Sequence, residues 1–380
     1  MKICRISTVP YQIHVFLKTQ IAETIKSGHE VTIITSPDQG VSNFCDQVGA
    51  RYIPLKMERR ISPFRDLVAL ILLVKIFIFN RFDVVHSISS KAGFLTSIAA
   101  LLTLIPVRLH VFAGLPWECM KGSKRVVAIF CDRLIVLLNT KCYADSNSEA
   151  NVLYQHGIAK QGAIRVLGHG SVAGVDLDRF NPKNQRLKND DLRLVLDIDT
   201  NAPIILFIGR VTRDKGIKEL VYAFIKARET VSNLHLVIVG PFDTAVEPIG
   251  TDLIKLINET RNIFYVGEDY EPEKYLAICD FLVIPSYREG FCNVVIEAAA
   301  MGKPSIGSRV TGLVDSIIDE KTGILVTVKS VDQLVYAIVR LLNNESLKLE
   351  MGLKARSRAI NSFNQHYINK LVIDEYKEVG

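Results

Sequence analysis

Short apolar runs alternate with longer segments of helical periodicity along almost the whole chain of 380 residues. Because strands that run in the same direction need long connections, this alternation predicts parallel β-sheets joined by crossover helices. The pattern is interrupted by the Gly-rich stretch Gly168–Asn181 and then begins again. A chain of this length accommodates two domains of ordinary size. The sequence therefore predicts an α/β protein with two parallel-sheet domains.

The same patterns place the individual elements. We predict strands at Lys2–Ser7, Val31–Thr35, Asp83–Ser87, Arg108–Phe112, either Leu134–Leu137 or Lys141–Ala144, Ile164–Leu167, Ile204–Gly209, His235–Gly240, Ile263–Gly267, Phe281–Pro285 and Ser305–Gly307. We predict helices at Val15–Ser27, Leu67–Phe79, Lys91–Leu104, Ser148–His156, Ile217–Ala227, Leu334–Leu342, Glu345–Ser362 and His366–Glu378.

Two glutamates stand eight positions apart after the predicted strand Phe281–Pro285. Glu289 lies in the loop that follows this strand, and Glu297 lies inside the next helix. Ligands of open α/β sheets bind outside the carboxyl ends of the strands, where the N–H groups of a helix N-terminus suit a phosphate. A loop carboxylate there can bind sugar hydroxyls, and a deeper helical carboxylate can bind a ribose. The alternative is a helix N-terminal charge and an ordinary surface residue.

A second strand in the same half is followed by two basic residues. Arg210 and Lys215 come directly after Ile204–Gly209 and before an amphipathic helix. The planar guanidinium and the ammonium point charge together suit a diphosphate. Gly209 and Gly216 allow a tight turn and a close approach of the backbone to a ligand. A Lys-Gly pair can also simply mark a turn, but its combination with the two glutamates favours a nucleotide-diphosphate site.

The run GRVTRDKG, together with the two glutamates eight positions apart, resembles the retaining nucleotide-sugar glycosyltransferases of family 4. Four segments are similar to the branch that builds bacterial O-antigen and capsule repeat units on a lipid carrier: Thr8–Ser36, Met57–Leu67, Val84–Ala100 and Arg165–Pro182. The resemblance implies the GT-B fold, in which two doubly wound parallel-sheet domains face a cleft. It implies that residues 1–170 bind the acceptor, together with a C-terminal helix (365–380) that crosses back to the first domain. Residues 171–364 would bind the nucleotide-sugar donor.

The resemblance also implies roles for particular residues. Glu289, Arg210 and Lys215 would be the catalytic residues, with Glu289 on the hydroxyls of the donor sugar and the two bases on the diphosphate. Glu297 would bind the ribose, and Val266 would flank the base. The implied donor-binding residues are Gly209, Val266, Gly290, Phe291, Cys292, Asn293 and Glu297. Retention of anomeric configuration would follow from attack on the face from which the diphosphate leaves.

Candidate acceptor contacts are fewer. Arg60 and Lys91 suit an acceptor diphosphate, although each can equally be an ordinary exposed base. Many relatives carry His-Gly where this chain has Ala113 and a glycine, and that histidine reaches the donor sugar. His110 is a candidate acceptor contact, but strand alternation directs it away from the face of Ala113, and a buried structural histidine is the alternative.

Other motifs are absent from the sequence. The first strand is not followed by GxGxxG, and neither GxxxxGK[ST] nor GxSxG occurs. The pairs Asp176/Asp178 and Asp197/Asp199 are interpreted as turn or cap residues rather than manganese ligands. We therefore expect no metal and no cofactor. The seven cysteines include no CxxC pair, which favours a reducing cytoplasm over a disulfide framework.

Charge is unevenly distributed between the two halves. Residues 1–170 contain 20 Lys and Arg against 11 Asp and Glu, and the remainder contains 26 against 29. A basic and apolar first half suits an anionic membrane surface or a lipid diphosphate. No apolar run reaches the roughly 20 residues that a spanning helix needs. We therefore expect a cytoplasmic protein that is peripheral on the inner face of the membrane. The dispersed basic residues do not suit nucleic acid.

The leading interpretation is transfer of a hexose or N-acetylhexosamine from a UDP- or GDP-type donor to a polyprenyl-diphosphate-linked sugar. One alternative is a nucleotide-sugar 2-epimerase of similar fold. Another is a non-catalytic sugar-binding subunit.

Overall fold

The computed structural model describes residues 1–58, 62–184, 192–243 and 248–379. The chain divides into two compact units. The first comprises Met1–Gly174 and Gln365–Gly380, and the second comprises Val175–Asn364. The family resemblance implies a division after residue 170 and a return of the chain at residue 365.

The first unit is built on a seven-stranded sheet with the order β3-β2-β1-β4-β5-β6-β7, in which all neighbours are parallel. The strands are β1 Lys2–Ser7, β2 Glu30–Thr35, β3 Arg51–Pro54, β4 Val84–Ile88, β5 Val107–Phe112, β6 Lys141–Ala144 and β7 Ile164–Arg165. Successive residues of β1 enter different hydrophobic clusters, Ile3 on one face and Cys4 on the other. Because both faces of the sheet are covered, its central strands are almost continuously apolar.

Helices cover both faces of this sheet. Two single turns, Pro10–Gln12 and Ile13–Leu17, precede the first regular helix. The helices of the first unit are α1 Lys18–Lys26, α2 Gln39–Val48, α3 Pro63–Asn80, α4 Ser90–Leu102, α5 Gly122–Leu138 and α6 Asn147–Gln155. Helix α3 packs against α4, and α4 packs against α5. Among the residues that the structure describes, no helix is long and apolar enough to cross a bilayer.

The second unit contains a six-stranded parallel sheet with the order β10-β9-β8-β11-β12-β13. Its strands are β8 Ile204–Ile208, β9 His235–Val239, β10 Ile263–Gly267, β11 Phe281–Ile284, β12 Ser305–Ser308 and β13 Gly323–Val326. Its longer helices are α7 Ile217–Ala227, α8 Thr251–Glu259, α9 Pro272–Ile278, α10 Asn293–Ala300, α11 Val331–Leu342 and α12 Glu345–Ser362. One hydrophobic core unites them.

The last helix, α13 (Gln365–Val379), belongs to the first unit, as the resemblance implied. Tyr376 is fully buried, and the Arg5 guanidinium donates a hydrogen bond to its hydroxyl. The Glu375 carboxylate accepts hydrogen bonds from the Tyr143 hydroxyl at 2.6 Å and from Lys141 Nζ at 2.9 Å. These buried and charged contacts fix the helix to β1 and β6.

Several predicted elements were wrong or incomplete. Leu134–Leu137 is not a strand, because it forms the end of α5, and the alternative Lys141–Ala144 is β6. The sequence patterns did not predict β3 and β13, which are short edge strands, or the helices α2, α5, α8 and α9. It also began α3 at Leu67, although the helix begins at Pro63, a residue whose fixed φ suits the first helical turn.

Candidate functional site

Lys215 and Glu289, which are 74 residues apart in sequence, meet at the carboxyl end of the second sheet. Lys215 ends a 3-10 turn after β8, and Glu289 lies in the loop between β11 and α10. Because β8 and β11 are parallel neighbours, the loops that follow them lie at the same edge of the sheet. The Lys215 Nζ lies 2.6 Å from the Glu289 Oε1, and both side chains are largely buried.

A second ion pair links the same two loops. Arg288 Nη2 lies 3.1 Å from Asp214 Oδ2, one residue before Glu289 and Lys215 respectively. The Thr212 hydroxyl donates to Asp214 Oδ1 at 2.6 Å, and the backbone N–H of Tyr287 donates to the Asp214 carbonyl at 2.8 Å. Burial opposes ionisation of Asp214, but the Thr212 hydrogen bond and the Arg288 charge outweigh it and lower its pKa. Asp214 and Arg288 were not among the predicted site residues, although each adjoins one of them in the sequence.

Two glycines allow these loops to approach each other. Gly216 has a φ of 70°, and a Cβ on it would lie 2.1 Å from the Pro285 carbonyl oxygen. Gly312 has a φ of 77°, and a Cβ there would lie 2.6 Å from the Gly290 carbonyl oxygen. A side chain at either position would therefore displace the backbone that carries Glu289.

Arg210 lies in the loop after β8 but forms its own ion pair. Its Nη1 is 2.9 Å from Asp243 Oδ2, and the side chain is about one-third exposed. Gly209, with a φ of 151°, precedes it. The guanidinium is thus held at the sheet edge by Asp243, which was not among the predicted site residues.

The predicted loop Gly290–Asn293 leads into α10. Among the described residues, the backbone N–H groups of Gly290, Phe291 and Cys292 donate no hydrogen bond to another protein group. Phe291 packs against Phe363 with ring centroids 5.3 Å apart, which anchors the loop to the core. Burial raises the pKa of the Cys292 thiol, so that it stays neutral. A loop of unpaired N–H groups at a helix N-terminus suits an anion.

Glu297 lies in the middle of α10 and is partly buried. Burial raises the pKa of its carboxyl to about 7, the Arg179 charge opposes that rise, and Glu273 adds to it. Arg179 itself is paired with Glu273, with 2.7 Å between Nη2 and Oε2. Within the described residues, the Glu297 carboxylate has no hydrogen-bond partner and is available to a ligand. Val266 lies near the carboxyl end of β10, two strands from β8, and packs against the core.

The two basic residues that were predicted to contact the acceptor are Lys91 and Arg60. Lys91 Nζ is 2.8 Å from Asp66 Oδ1, and both side chains are mostly buried. Arg60 lies outside the described residues.

His110 is corrected from a predicted acceptor contact to a core residue. It is completely buried, and its Nδ1 lies 2.9 Å from the Ser87 hydroxyl oxygen. A Cβ on Gly93 would lie 2.3 Å from its ring, so the imidazole occupies the space that this glycine leaves in α4. Burial lowers the pKa of His110 to about 3, and the neutral ring has no surface that an acceptor could contact.

Asp176 and Asp197, one from each aspartate pair, both lie in turns. Asp176 Oδ1 accepts hydrogen bonds from the backbone N–H groups of Asp178 and Arg179, both at 3.0 Å, which forms an Asx turn. Asp197 has a φ of 52° in the turn after the short helix Leu192–Val195. The described part of the chain contains no group of three or more His, Cys, Asp or Glu side chains that could hold a metal ion.

Two family models match the chain, one in each half. The model described as glycosyl transferase 4-like domain matches residues 13–170, and the model described as glycosyl transferases group 1 matches residues 188–358.

Individual relatives match over most of the chain. A capsular polysaccharide biosynthesis glycosyltransferase, CapM from Staphylococcus aureus, is 29% identical over 93% of this chain and 90% of its own length. A UDP-Gal:alpha-D-GlcNAc-diphosphoundecaprenol alpha-1,3-galactosyltransferase from Escherichia coli is 26% identical over 84% of this chain and 81% of its own. Among solved structures, HepE from Anabaena in complex with UDP has a TM-score of 0.80 over 100% of both chains at 16% identity, which shows the fold alone.

Proposed function

Because this chain belongs to the family 4 glycosyltransferases with the GT-B fold, we propose that it moves a sugar from a UDP- or GDP-type donor to a polyprenyl-diphosphate-linked sugar. The transferred group would be a hexose or an N-acetylhexosamine, and the product would be a repeat-unit intermediate of a bacterial O-antigen or capsule. The relatives named for capsule synthesis and for a diphosphoundecaprenol acceptor support this assignment.

The observation that carries the proposal is the Lys215–Glu289 ion pair beside the unpaired N–H groups of Gly290–Cys292. A departing diphosphate needs positive charge, whereas the sugar ring needs a carboxylate that accepts from its hydroxyls. The Lys215 ammonium and the Glu289 carboxylate are one group of each kind, and they are in direct contact. Donor binding would insert the diphosphate beside Lys215 and the sugar beside Glu289. Glu297, on α10 directly after the loop that carries Glu289, would then bind the ribose.

The proposed reaction retains the anomeric configuration. The bond between the anomeric carbon and the diphosphate oxygen breaks, and the acceptor oxygen bonds to the same face of that carbon. The acceptor hydroxyl proton passes to the leaving phosphate oxygen. Lys215, Arg210 and the loop N–H groups stabilise the charge that develops on the diphosphate, so no protein nucleophile is required.

The deciding experiment incubates the protein with UDP- and GDP-sugars and with polyprenyl-diphosphate-linked sugars. We expect free nucleoside diphosphate together with a longer lipid-linked product whose new linkage has the donor's anomeric configuration. An epimerised nucleotide sugar without a new glycoside would identify a 2-epimerase instead. Donor binding without any product from the whole panel would identify a non-catalytic sugar-binding subunit.

We also propose that the reaction needs no metal ion, because basic side chains and backbone N–H groups occupy the role that a cation has in other transferases. Transfer should therefore survive an excess of EDTA with most of its turnover. A manganese-dependent transferase assayed in parallel verifies that chelation is complete. Loss of activity that manganese restores would show that Asp176 or Asp197 had been misinterpreted as structural.

Finally, we propose that the protein works in the cytoplasm at the inner face of the membrane, as a peripheral protein on anionic lipid. The basic first half, with 20 Lys and Arg against 11 Asp and Glu in residues 1–170, supports the attraction. A lipid-linked acceptor would require the first unit to reach a bilayer.

A further inference from the structure

The outer face of α3 is apolar although nothing covers it among the described residues. Phe64 is 79% exposed and Phe79 is 83% exposed, at opposite ends of the helix. Leu67 and Ile71 are exposed on the same side, one and two turns after Phe64. On its other side, α3 buries Ala69, Leu73 and Phe77 in the core. A surface helix of a soluble domain is normally polar outside, so an apolar outer stripe indicates a second apolar environment.

The apolar surface continues over the two neighbouring helices. Leu102 is exposed at the end of α4, and Leu104, just after it, is 84% exposed. Helix α5 exposes Val126, Phe130 and Leu137. We call the exposed apolar side chains of these elements the three-helix surface: Phe64, Leu67, Ile71, Phe79, Leu102, Leu104, Val126, Phe130 and Leu137. Apolar surfaces of this extent mark interaction sites rather than ordinary solvent-facing helices.

Unpaired basic residues lie beside this surface, although Glu58 pairs with Arg65 of α3 and the exposed Asp83 follows Arg81 in the chain. Lys75, Arg81, Lys121 and Lys124 are exposed, and within the described residues none of them forms an ion pair. The three helices contain only two carboxylates, and both are engaged within the protein. Asp66 is paired with Lys91, and buried Asp132 accepts a hydrogen bond from the Trp117 indole.

We propose that the three-helix surface is the part of the protein that enters the lipid bilayer, with α3 in the plane of the interface. The apolar side chains would reach the boundary between headgroups and acyl chains, while Lys75, Lys121 and Lys124 would contact anionic phosphates. This proposal rests on the proposed function, which requires access to a lipid-linked acceptor. A second copy of the chain is the less favourable occupant, because a two-fold contact would bring the same lysines together.

The test measures binding to phosphatidylcholine vesicles that contain phosphatidylglycerol. The triple variant Phe64→Gln/Ile71→Gln/Phe79→Gln removes apolar area without changing charge, and its partition coefficient should fall on the order of 100-fold or more. The matched control is Leu349→Gln/Leu353→Gln, which changes exposed leucines on α12 of the second unit and should bind like the wild type. Circular dichroism verifies that the variants are folded.

A second variant separates the charge contribution. Lys75→Gln/Lys121→Gln/Lys124→Gln should abolish most of the salt dependence of binding but retain the salt-resistant part. The apolar triple variant should lose the salt-resistant part and retain binding that high salt abolishes. Unchanged vesicle binding by the apolar triple variant would overturn the proposal. So would loss of a dimer in sedimentation without loss of vesicle binding, which would identify a second copy as the occupant.

The two proposals fail separately. Transfer to a short-chain, water-soluble acceptor analogue should be unaffected in the apolar triple variant if the surface serves only the membrane. A wild-type protein that binds vesicles through this surface but transfers to no acceptor would contradict the proposed function and leave the membrane surface supported.

Discussion

Glu289→Ala should reduce kcat for sugar transfer on the order of 10³-fold, as the loss of a charge-stabilising group in an enzyme site commonly does. Two effects combine in this expectation. The variant loses the carboxylate proposed to accept from the donor hydroxyls. It also leaves Lys215 Nζ without the Glu289 Oε1 that lies 2.6 Å away and fixes its position. The measurement is steady-state transfer with saturating donor and acceptor.

Two controls make this result specific. Glu289→Gln keeps the size of the side chain but removes its charge, and its melting temperature should stay close to that of the wild type because the amide oxygen can still accept a hydrogen bond from Lys215. Glu350→Ala breaks a surface ion pair with Lys354 in the same unit and should leave turnover unchanged. If Glu289→Ala retained turnover within a few-fold of the wild type, Glu289 would have no catalytic role.

The sequence predicted where the site residues lie along the chain, but not which of them touch. Buried parallel strands are short continuous apolar runs, so Ile204–Ile208 and Phe281–Ile284 were recognisable, and with them the loops that carry Lys215 and Glu289. The contact between these side chains depends on β8 and β11 being neighbours in the sheet. Strand order is a tertiary property that local patterns do not encode, which is also why Asp243 was missed as the partner of Arg210.

Two of the wrong predictions have local causes. The edge strand β3 (Arg51–Pro54) keeps its side chains partly exposed and therefore lacks a continuous apolar run. The four-residue run Leu134–Leu137 has the composition of a strand but belongs to α5, where Ile135 is buried and Leu137 is exposed. A short apolar run does not distinguish the two structures without its neighbours.

His110 shows why the sequence alone does not predict whether a single side chain is buried. Alternation along β5 predicts the face on which the ring lies but not whether that face is covered. Gly93, on a helix that precedes the strand, leaves the space that the imidazole fills. Burial of the ring therefore results from a contact between two elements, and neither element shows it alone.

Lys215→Ala and Arg210→Ala should each cost about 2–4 kcal/mol of transition-state stabilisation, measured from kcat/KM for the donor. Lys215 and Arg210 differ in their ion-pair partners and in their exposure to solvent. Lys215 contacts the proposed sugar-binding carboxylate directly, whereas Arg210 is held 2.9 Å from Asp243 and is more exposed to solvent. We therefore expect Lys215→Ala to cost more and Arg210→Ala to cost the smaller part of that range.

Conservative variants test whether geometry or charge alone matters at these positions. Lys215→Arg preserves the positive charge but presents a planar fork in place of a point charge, and should recover only part of the lost kcat/KM. Asp243→Asn should disturb transfer less than Arg210→Ala, because it leaves the guanidinium in place and removes only the charge of the carboxylate that holds it.

Lys226→Ala is a matched control, since this exposed base of the same unit pairs with Asp332 at 3.0 Å and should leave kcat/KM unchanged. Unchanged kcat/KM in both Lys215→Ala and Arg210→Ala would remove the two bases from the diphosphate site and leave the loop N–H groups of Gly290–Cys292 to stabilise the leaving group.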